Sequence, residues 1–176
     1  IAPAVTYEIA GEQYVTVLAG WGGAQVALAP EPAAAVNKYG NNGRIYTFKI
    51  GGQKTIEAQA VEREPLAKPP EVTASAAVVQ RGNVAFDRYC AVCHGGLAMS
   101  GGILPDLRYS APEVLDRYKE IVLDGELKAN GMASFADHLK LDDVEAIKAY
   151  VLTLANAEYA AQQKAAATPP AAPPPN

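Results

Sequence analysis

The sequence predicts an α+β fold in two parts, a short antiparallel β segment followed by an all-α domain. Residues 44–50 alternate polar and apolar side chains, as a half-buried strand does. Residues 63–77 are polar and rich in proline, so they are expected to form a semi-extended linker that cannot continue a sheet. From residue 78 the apolar residues recur at helical spacing. The predicted boundaries are a β segment over 1–62, the linker over 63–77, the helical domain over 78–157 and a disordered Ala/Pro tail over 158–176.

The β segment contains three or four short predicted strands. Residues 5–9 and 14–18 are β-branched and aromatic runs, joined by a tight turn at residues 10–13. The strand at residues 44–50 ends in a Gly-Gly turn, and a weaker strand is a further candidate from Thr55 to Ala60. So few strands bury little apolar surface and are marginal alone. We therefore expect this segment to be part of a larger β body.

The helical domain is predicted to hold three helices. The first begins near Val78 and carries Gly82 and Phe86 on its apolar face. Glycine inside a helix costs about 1 kcal/mol relative to alanine, which favours close approach of another helix at Gly82. The second helix is expected to start at a capping box, Ser110 to Glu113, and to end near residue 123.

The last predicted helix has Asp142 and Asp143 in its first turn, where the helix dipole stabilises negative charge. Lys140 stands where a Ser or Thr cap would be expected. An apolar stripe follows, and we interpret it as ordinary core; it consists of Val144, Ile147, Val151 and Leu154, with Tyr150 beside it.

The strongest chemical signal is the pattern C-x-x-C-H formed by Cys90, Cys93 and His94. This pattern is the attachment sequence of a c-type haem, in which each thiol forms a thioether with one vinyl group and the histidine binds the iron. A zinc site would require more ligands, and the chain has only 2 cysteines. A redox-active thiol pair would require a βαβ context, which the residues before Cys90 do not provide.

Three residues are candidates for the second axial ligand, namely Met132, Met99 and His138. Met132 is preferred because an intervening helix and turn can carry it to the opposite face of the porphyrin. Met99 follows His94 closely on a Gly-rich loop, and His138 has the charged neighbours of a surface residue. His/Met ligation raises the reduction potential and favours electron transfer. An open sixth position would instead indicate a sensor or catalytic haem.

Composition narrows the function classes. The net charge of −4 and pI of about 5.2 give no nucleic-acid footprint. No apolar run reaches the length of a membrane span. Because covalent haem attachment normally takes place outside the bacterial cytoplasm, the motif predicts a periplasmic location.

Residues 78–157 resemble the small class I cytochrome c fold. The resemblance rests on C-x-x-C-H at the end of the first helix and a Met loop before the last. Gly82 and Phe86 match the helix-crossing pair of that family, with Tyr150 as partner.

A wider resemblance covers nearly the whole chain. Residues 14–24, 43–52 and 102–110, together with the Pro-rich linker, resemble the C-terminal part of PQQ-dependent quinohaemoprotein alcohol dehydrogenases. Members of that family join an eight-bladed β-propeller, which holds PQQ and calcium, to a haem c domain. The resemblance implies that residues 1–62 are the closing blade of such a propeller.

The resemblance also implies roles for single residues. Trp21 would lie near the edge of PQQ, and Pro105 would accept a hydrogen bond from the second nitrogen of His94. Arg108 and Tyr109 would bond the haem propionates.

The function implied is electron transfer through one covalent haem c, from PQQ to an external cytochrome, copper protein or quinone. PQQ and calcium are expected only with the rest of the propeller, or its catalytic subunit, as partner. The chain has no second cysteine pair and lacks most of the propeller, so we do not expect it to oxidise alcohol alone. The alternative is a free-standing periplasmic cytochrome c that docks to a separate dehydrogenase.

Overall fold

The computed structural model describes residues 3–20, 39, 43–56, 60, 64–99 and 104–167. A three-stranded antiparallel sheet is followed by a helical domain, which confirms the predicted two-part class. The strands are β1 (Val5–Ile9), β2 (Glu12–Ala19) and β3 (Arg44–Lys49). The helices are α1 (Ala76–Tyr89), α2 (Ala91–His94), α3 (Pro112–Asp116), α4 (Tyr118–Val122) and α5 (Leu141–Ala166). Short 3-10 turns lie at Gly96–Ala98, Leu107–Tyr109 and Lys128–Asn130.

The first hairpin turns through only two residues. Ala10 and Gly11 both have positive φ, 53° and 79°, which is the backbone that two-residue hairpin turns require. β2 therefore begins at Glu12, inside the turn predicted at residues 10–13. Glycine adopts this conformation without cost, and Ala10 takes the less favourable position.

Both faces of the sheet carry exposed apolar side chains. The register pairs Tyr7 with Tyr14, whose rings stack at 5.5 Å, and Leu18 with Ile45 on the same face. Ile45 is 69% exposed, and Phe48, on the opposite face, is 47% exposed. In the described part of the chain these side chains stay exposed, and a sheet of three short strands buries little apolar area by itself, as expected of a segment that leans on something larger.

The weaker strand predicted from Thr55 does not form in its described part. The backbone turns at Gly51, where Gly52 N–H donates to the Lys49 carbonyl, as the Gly-Gly turn predicts. Residues 53–56 then continue without strand pairing, so this prediction is wrong for Thr55 and Ile56. Residues 57–59 lie outside the described part of the chain.

The helical domain is built on the crossing of α1 and α5. The side chain of Ser75 caps α1 by accepting from Val78 N–H, and Gly82 in its middle lies against the backbone of Ala146. One turn later the rings of Phe86 and Tyr150 meet with centroids 5.5 Å apart. The buried core around this crossing consists of Phe86, Ala98, Leu115, Tyr118, Val122, Leu139, Val144, Ile147, Tyr150 and Val151.

The second predicted helix is two helices, and its predicted capping box is wrong. Arg117 leaves the helical region at φ −104° and ψ 24°, which separates α3 from α4. Ala111 is the N-cap and makes no side-chain cap bond. The Ser110 hydroxyl instead donates to the Leu107 carbonyl, 2.8 Å away, because the preceding 3-10 turn places that acceptor within reach.

The last helix begins as predicted but extends further. The Asp143 side chain accepts from Lys140 N–H at 3.0 Å, which is the bond that the third residue of a helix contributes to a capping box. α5 continues to Ala166, so the predicted disordered tail is wrong for residues 158–166, whose Ala, Glu, Gln and Lys residues are strong helix formers. Residues 168–176 lie outside the described chain. None of the described helices is both long and apolar enough to cross a membrane.

Candidate haem site

The C-x-x-C-H motif lies on one short helix. α1 ends at Tyr89, and a hydrogen bond of 2.9 Å from His94 N–H to the Cys90 carbonyl closes the turn of α2. Residues three and four apart share a helix face, so Cys93 and His94 lie on the same side as Cys90. This is the arrangement needed for two thioethers and one iron ligand on a single porphyrin.

The two thiols lie in different environments. Cys93 is exposed, whereas Cys90 is half-buried against the helical core, and both are free rather than joined in a disulfide. Burial, with a smaller contribution from Cys93, raises the pKa of the Cys90 thiol to about 12. In the haem-free chain Cys90 is therefore a protonated, weakly nucleophilic thiol at neutral pH.

The imidazole of His94 is half-buried and incompletely bonded. Burial lowers its pKa, and the backbone oxygen of Pro105 opposes that shift. Yet Nδ1 is fully buried and has no partner in hydrogen-bonding geometry, the single such side-chain atom among the described residues. Buried polar atoms are nearly always partnered. A half-buried imidazole with an unpartnered nitrogen, next to two cysteines, fits an iron ligand, so these residues fit a c-type haem.

A tight turn follows the motif. Leu97 and Ala98 both adopt left-handed backbone, with φ of 57° and 56°, and Gly95 has φ of 79°. The turn buries Met99, leaving it 6% exposed. Left-handed conformations cost energy for residues other than glycine and tend to persist where surrounding structure holds them.

Met132 lies in an irregular segment, as predicted. It follows Gly131, whose φ is 97°, and its backbone N–H donates to the Leu127 carbonyl at 3.2 Å. Its side chain is half-buried and packs against the core together with Phe135. Its role as axial ligand stays a prediction.

His138, another candidate ligand, lies at the surface. Its ring stacks on Tyr89 with centroids 5.9 Å apart and an angle of 16°. Tyr89 also contacts Phe135 edge to face, and Arg88 lies over its ring. This stack gives His138 a packing role beside Cys90.

Arg108 is buried and bonded to two carboxylates. Its Nε and Nη2 donate to the two oxygens of Asp106 at 2.9 and 2.7 Å, and Nη1 donates to Glu158 at 2.9 Å. Burial alone would lower the pKa of the guanidinium, but the bonds to Asp106 and the charge of Glu158 raise it above its ordinary value. Three of its five donors are thus committed to protein groups. The bond from Arg108 to a haem propionate stays a prediction, and two N–H donors of the guanidinium remain for it.

Tyr109 is also engaged within the protein. Its hydroxyl accepts a hydrogen bond of 2.7 Å from the Gln162 amide on α5. A phenol can still donate one hydrogen bond, so the predicted propionate contact of Tyr109 likewise stays a prediction. Trp21, expected near PQQ, lies outside the described residues.

Tyr118 is a candidate that sequence reasoning did not single out. Its side chain is 6% exposed, and burial, with a smaller contribution from Cys90, raises the pKa of its hydroxyl. It therefore lies beside the motif as a neutral phenol. The helical spacing of Tyr118 with Leu115 and Val122 marks it in the sequence as a core-facing aromatic residue.

No zinc-type site accompanies these residues. Over the ranges that the structure describes, no group of three or more His, Cys, Asp or Glu side chains is placed to hold a metal ion.

Comparison with known proteins agrees with this geometry. Residues 77–151 match the protein family described as "Cytochrome C oxidase, cbb3-type, subunit III". The chain is 38% identical over 168 residues to quinohemoprotein alcohol dehydrogenase ADH IIB of Pseudomonas putida, covering 94% of this chain and 24% of the relative. The chain is homologous to the C-terminal part of quinohaemoprotein alcohol dehydrogenases. The homology extends over about 90% of its length, and residues 77–151 form a cytochrome c domain.

Solved structures give the same result. The quinohemoprotein alcohol dehydrogenase ADHIIG of Pseudomonas putida HK5 superimposes with a TM-score of 0.65 and 36% identity, covering 86% of this chain and 22% of that one. The quinohemoprotein alcohol dehydrogenase of Comamonas testosteroni superimposes with a TM-score of 0.56 and 32% identity, covering 88% of this chain and 22% of that one. The chain thus spans less than a quarter of the length of these relatives. A cytochrome c domain implies haem c and electron transfer.

Proposed function

We propose that this chain transfers electrons through a single, covalently bound c-type haem. It would accept electrons from PQQ in a quinohaemoprotein alcohol dehydrogenase and pass them to an external cytochrome, copper protein or quinone. The observation that carries the proposal is the placement of Cys90, Cys93 and the underbonded imidazole of His94 on one face of a short helix, within a cytochrome c domain.

Each residue of the motif has a distinct task. Cys90 and Cys93 would form thioethers, and His94 and Met132 would be the axial ligands. Burial favours the neutral imidazole at His94, and the second ring nitrogen of His94 would donate a hydrogen bond to the Pro105 carbonyl. When bound, the haem supplies one-electron chemistry.

The packed helical core borders this site, since Cys90 and Met132 both pack against it. Phe86, Val144 and Ile147 are at most 1% exposed, and the half-buried Met132 packs against the same cluster. An apolar surround of this kind would help to set the reduction potential of a bound haem.

The sheet would belong to the propeller of the dehydrogenase, whose closing blade it would form. Apolar side chains exposed on both sheet faces support this, since the rest of a propeller would cover them. Alcohol oxidation would then require that larger β body, with its PQQ and calcium. The location proposed is the periplasm, because haem attachment to C-x-x-C-H normally takes place outside the bacterial cytoplasm.

A mass and a spectrum test the cofactor. The chain matured in a bacterial periplasm should be coloured, should gain the mass of one haem, and should give the pyridine haemochrome spectrum of two thioethers. A colourless protein with the mass of the bare chain would overturn the proposal.

Three variants test the axial ligand. Met132→Ala should change the visible spectrum and lower the midpoint potential, because a vacant or water-filled position replaces sulfur. Met99→Leu and His138→Ala are matched controls that should leave both unchanged. If Met132→Ala leaves both unchanged, Met132 is not the ligand.

A further inference from the structure

A polar cluster joins three separate parts of the chain. Arg108 lies in the 3-10 turn Leu107–Tyr109, and Asp106 caps that turn. Glu158 and Gln162 come from α5, and Leu66 comes from the segment before α1. Arg108 bonds both carboxylates, and the Gln162 amide donates to Glu158 at 2.8 Å. The oxygen of the same Gln162 amide accepts from Leu66 N–H at 2.9 Å.

Residues 64–70, here called the strap, lie on the helical domain rather than apart from it. Leu66 is 9% exposed and Pro69 is also buried. Two side chains of α5 hold the strap, because Asn156 donates to the Pro70 carbonyl at 2.8 Å while Gln162 bonds Leu66. A cavity of about 320 Å³ lies beneath the strap, between Leu66 and Leu107.

The cluster is buried enough to fix geometry. The exposed side-chain fractions are 8% for Arg108, 12% for Asp106 and 27% for Glu158. The fork between Arg108 and Asp106 uses two parallel bonds, which fixes orientation as well as distance. A charged group left unpaired in such a site is strongly unfavourable, so the three side chains hold one arrangement.

The turn fixed by this cluster carries Pro105. Pro105 immediately precedes Asp106, and its backbone oxygen lies close to the His94 ring, although not in hydrogen-bonding geometry with Nδ1. The position of that oxygen therefore depends on how Asp106 is held by Arg108. Glu158 and Gln162 are both on the extension of α5 beyond residue 157, which thereby gains a structural role.

We propose that Arg108 is a positioning residue for the haem. With Glu158 and Gln162 it fastens the strap across the 104–109 turn, and it thereby holds the Pro105 carbonyl in register with His94. The second part rests on the proposed function, because it takes His94 as the iron ligand; the fastening of the strap does not.

Hydrogen exchange of the full chain tests the fastening. Gln162→Met keeps the length of the side chain but removes its bonds to Leu66, Tyr109 and Glu158. The Leu66 amide should exchange about tenfold faster than in the wild-type protein, the order expected for losing one hydrogen bond and its neighbours. Gln163→Met, at the next and exposed position of α5, is the matched control and should not change this rate. Equal exchange rates of the Leu66 amide in the wild-type, Gln162→Met and Gln163→Met proteins would overturn the proposal, whether or not the chain carries haem.

The midpoint potential of the haem-loaded chain tests the positioning. Glu158→Gln and Arg108→Lys, which keeps the positive charge but cannot form the fork, should each shift the potential relative to Gln163→Met. They should also shift the spectrum in the same direction as each other. Faster exchange at Leu66 combined with an unchanged potential in both variants would refute the positioning role. Absence of haem altogether would refute the proposed function, a result distinct from either.

Discussion

Replacing Gly82 by Ala should destabilise the helical domain, although alanine is the better helix former. A Cβ atom at Gly82 would overlap the carbonyl of Ala146 and lie 3.0 Å from Ile147 N. These neighbours are backbone atoms, so no side-chain rotation relieves the overlap and the two helices must separate. Overpacking costs about 1–3 kcal/mol, and a clash with backbone belongs at the upper end. Alanine regains about 1 kcal/mol in helix propensity.

The expected net loss is about 2 kcal/mol in the free energy of unfolding. For a domain of 60–100 residues this lowers Tm by roughly 8–16 °C, at about 4–8 °C for each kcal/mol. Thermal and urea unfolding followed by circular dichroism measure the change. Val84→Ala, on the exposed side of the same helix, reports the propensity gain without the clash and should be neutral or slightly stabilising. A Gly82→Ala protein that melts at or above the wild-type temperature would refute the helix crossing as described.

Three further predictions follow from the site and the sheet. Burial raises the pKa of the Tyr118 hydroxyl above 10.0, so the unfolded chain ionises this group at a lower pH than the folded chain does. The stabilising contribution of Tyr118 is therefore complete below pH 10 and declines above it, by at most about 1.4 kcal/mol per pH unit. Between pH 9 and 11 the Tyr118→Phe protein should lose less stability in urea unfolding than the wild-type protein, and an equal loss in both would contradict the assignment. Cys93→Ala should retain haem through Cys90 with the pyridine haemochrome spectrum of a single thioether; an unaltered spectrum would show that Cys93 forms no bond to the haem. Ile45→Lys and Phe48→Lys, on opposite sheet faces, should each reduce the binding of an apolar dye and the self-association measured by sedimentation. A wild-type chain that is already monomeric and binds no dye would show that the sheet does not need a larger β body to cover its faces.

Local chemistry made much of the fold readable from sequence. The C-x-x-C-H spacing is tied to a single cofactor, and Gly82 with Phe86 implied a helix crossing because only close contact explains glycine at that place. The strands that formed have β-branched or aromatic residues in alternation. Thr55 lacks cross-strand support in the described sheet, and a weak pattern without a partner does not form a strand.

The remainder depended on contacts that sequence patterns do not contain. Ser110 and Glu113 have the spacing of a capping box, yet the Leu107 carbonyl captured the Ser110 hydroxyl. The bond between Arg108 and Glu158 was not predicted, because the two residues are 50 positions apart and only the fold brings them together. The composition of residues 158–166 was read as tail, although helix propensity and anchoring to the strap extend α5 through it.

The length of α5 has a consequence of its own. At 26 residues it is about 39 Å long, more than the core beneath it requires. Its first half carries most of its buried side chains, while its second half carries the polar side chains that bond the strap and Arg108. Glu158 and Gln162 lie in this second half, so shortening α5 would release the strap and the 104–109 turn while leaving the crossing of α1 and α5 in place.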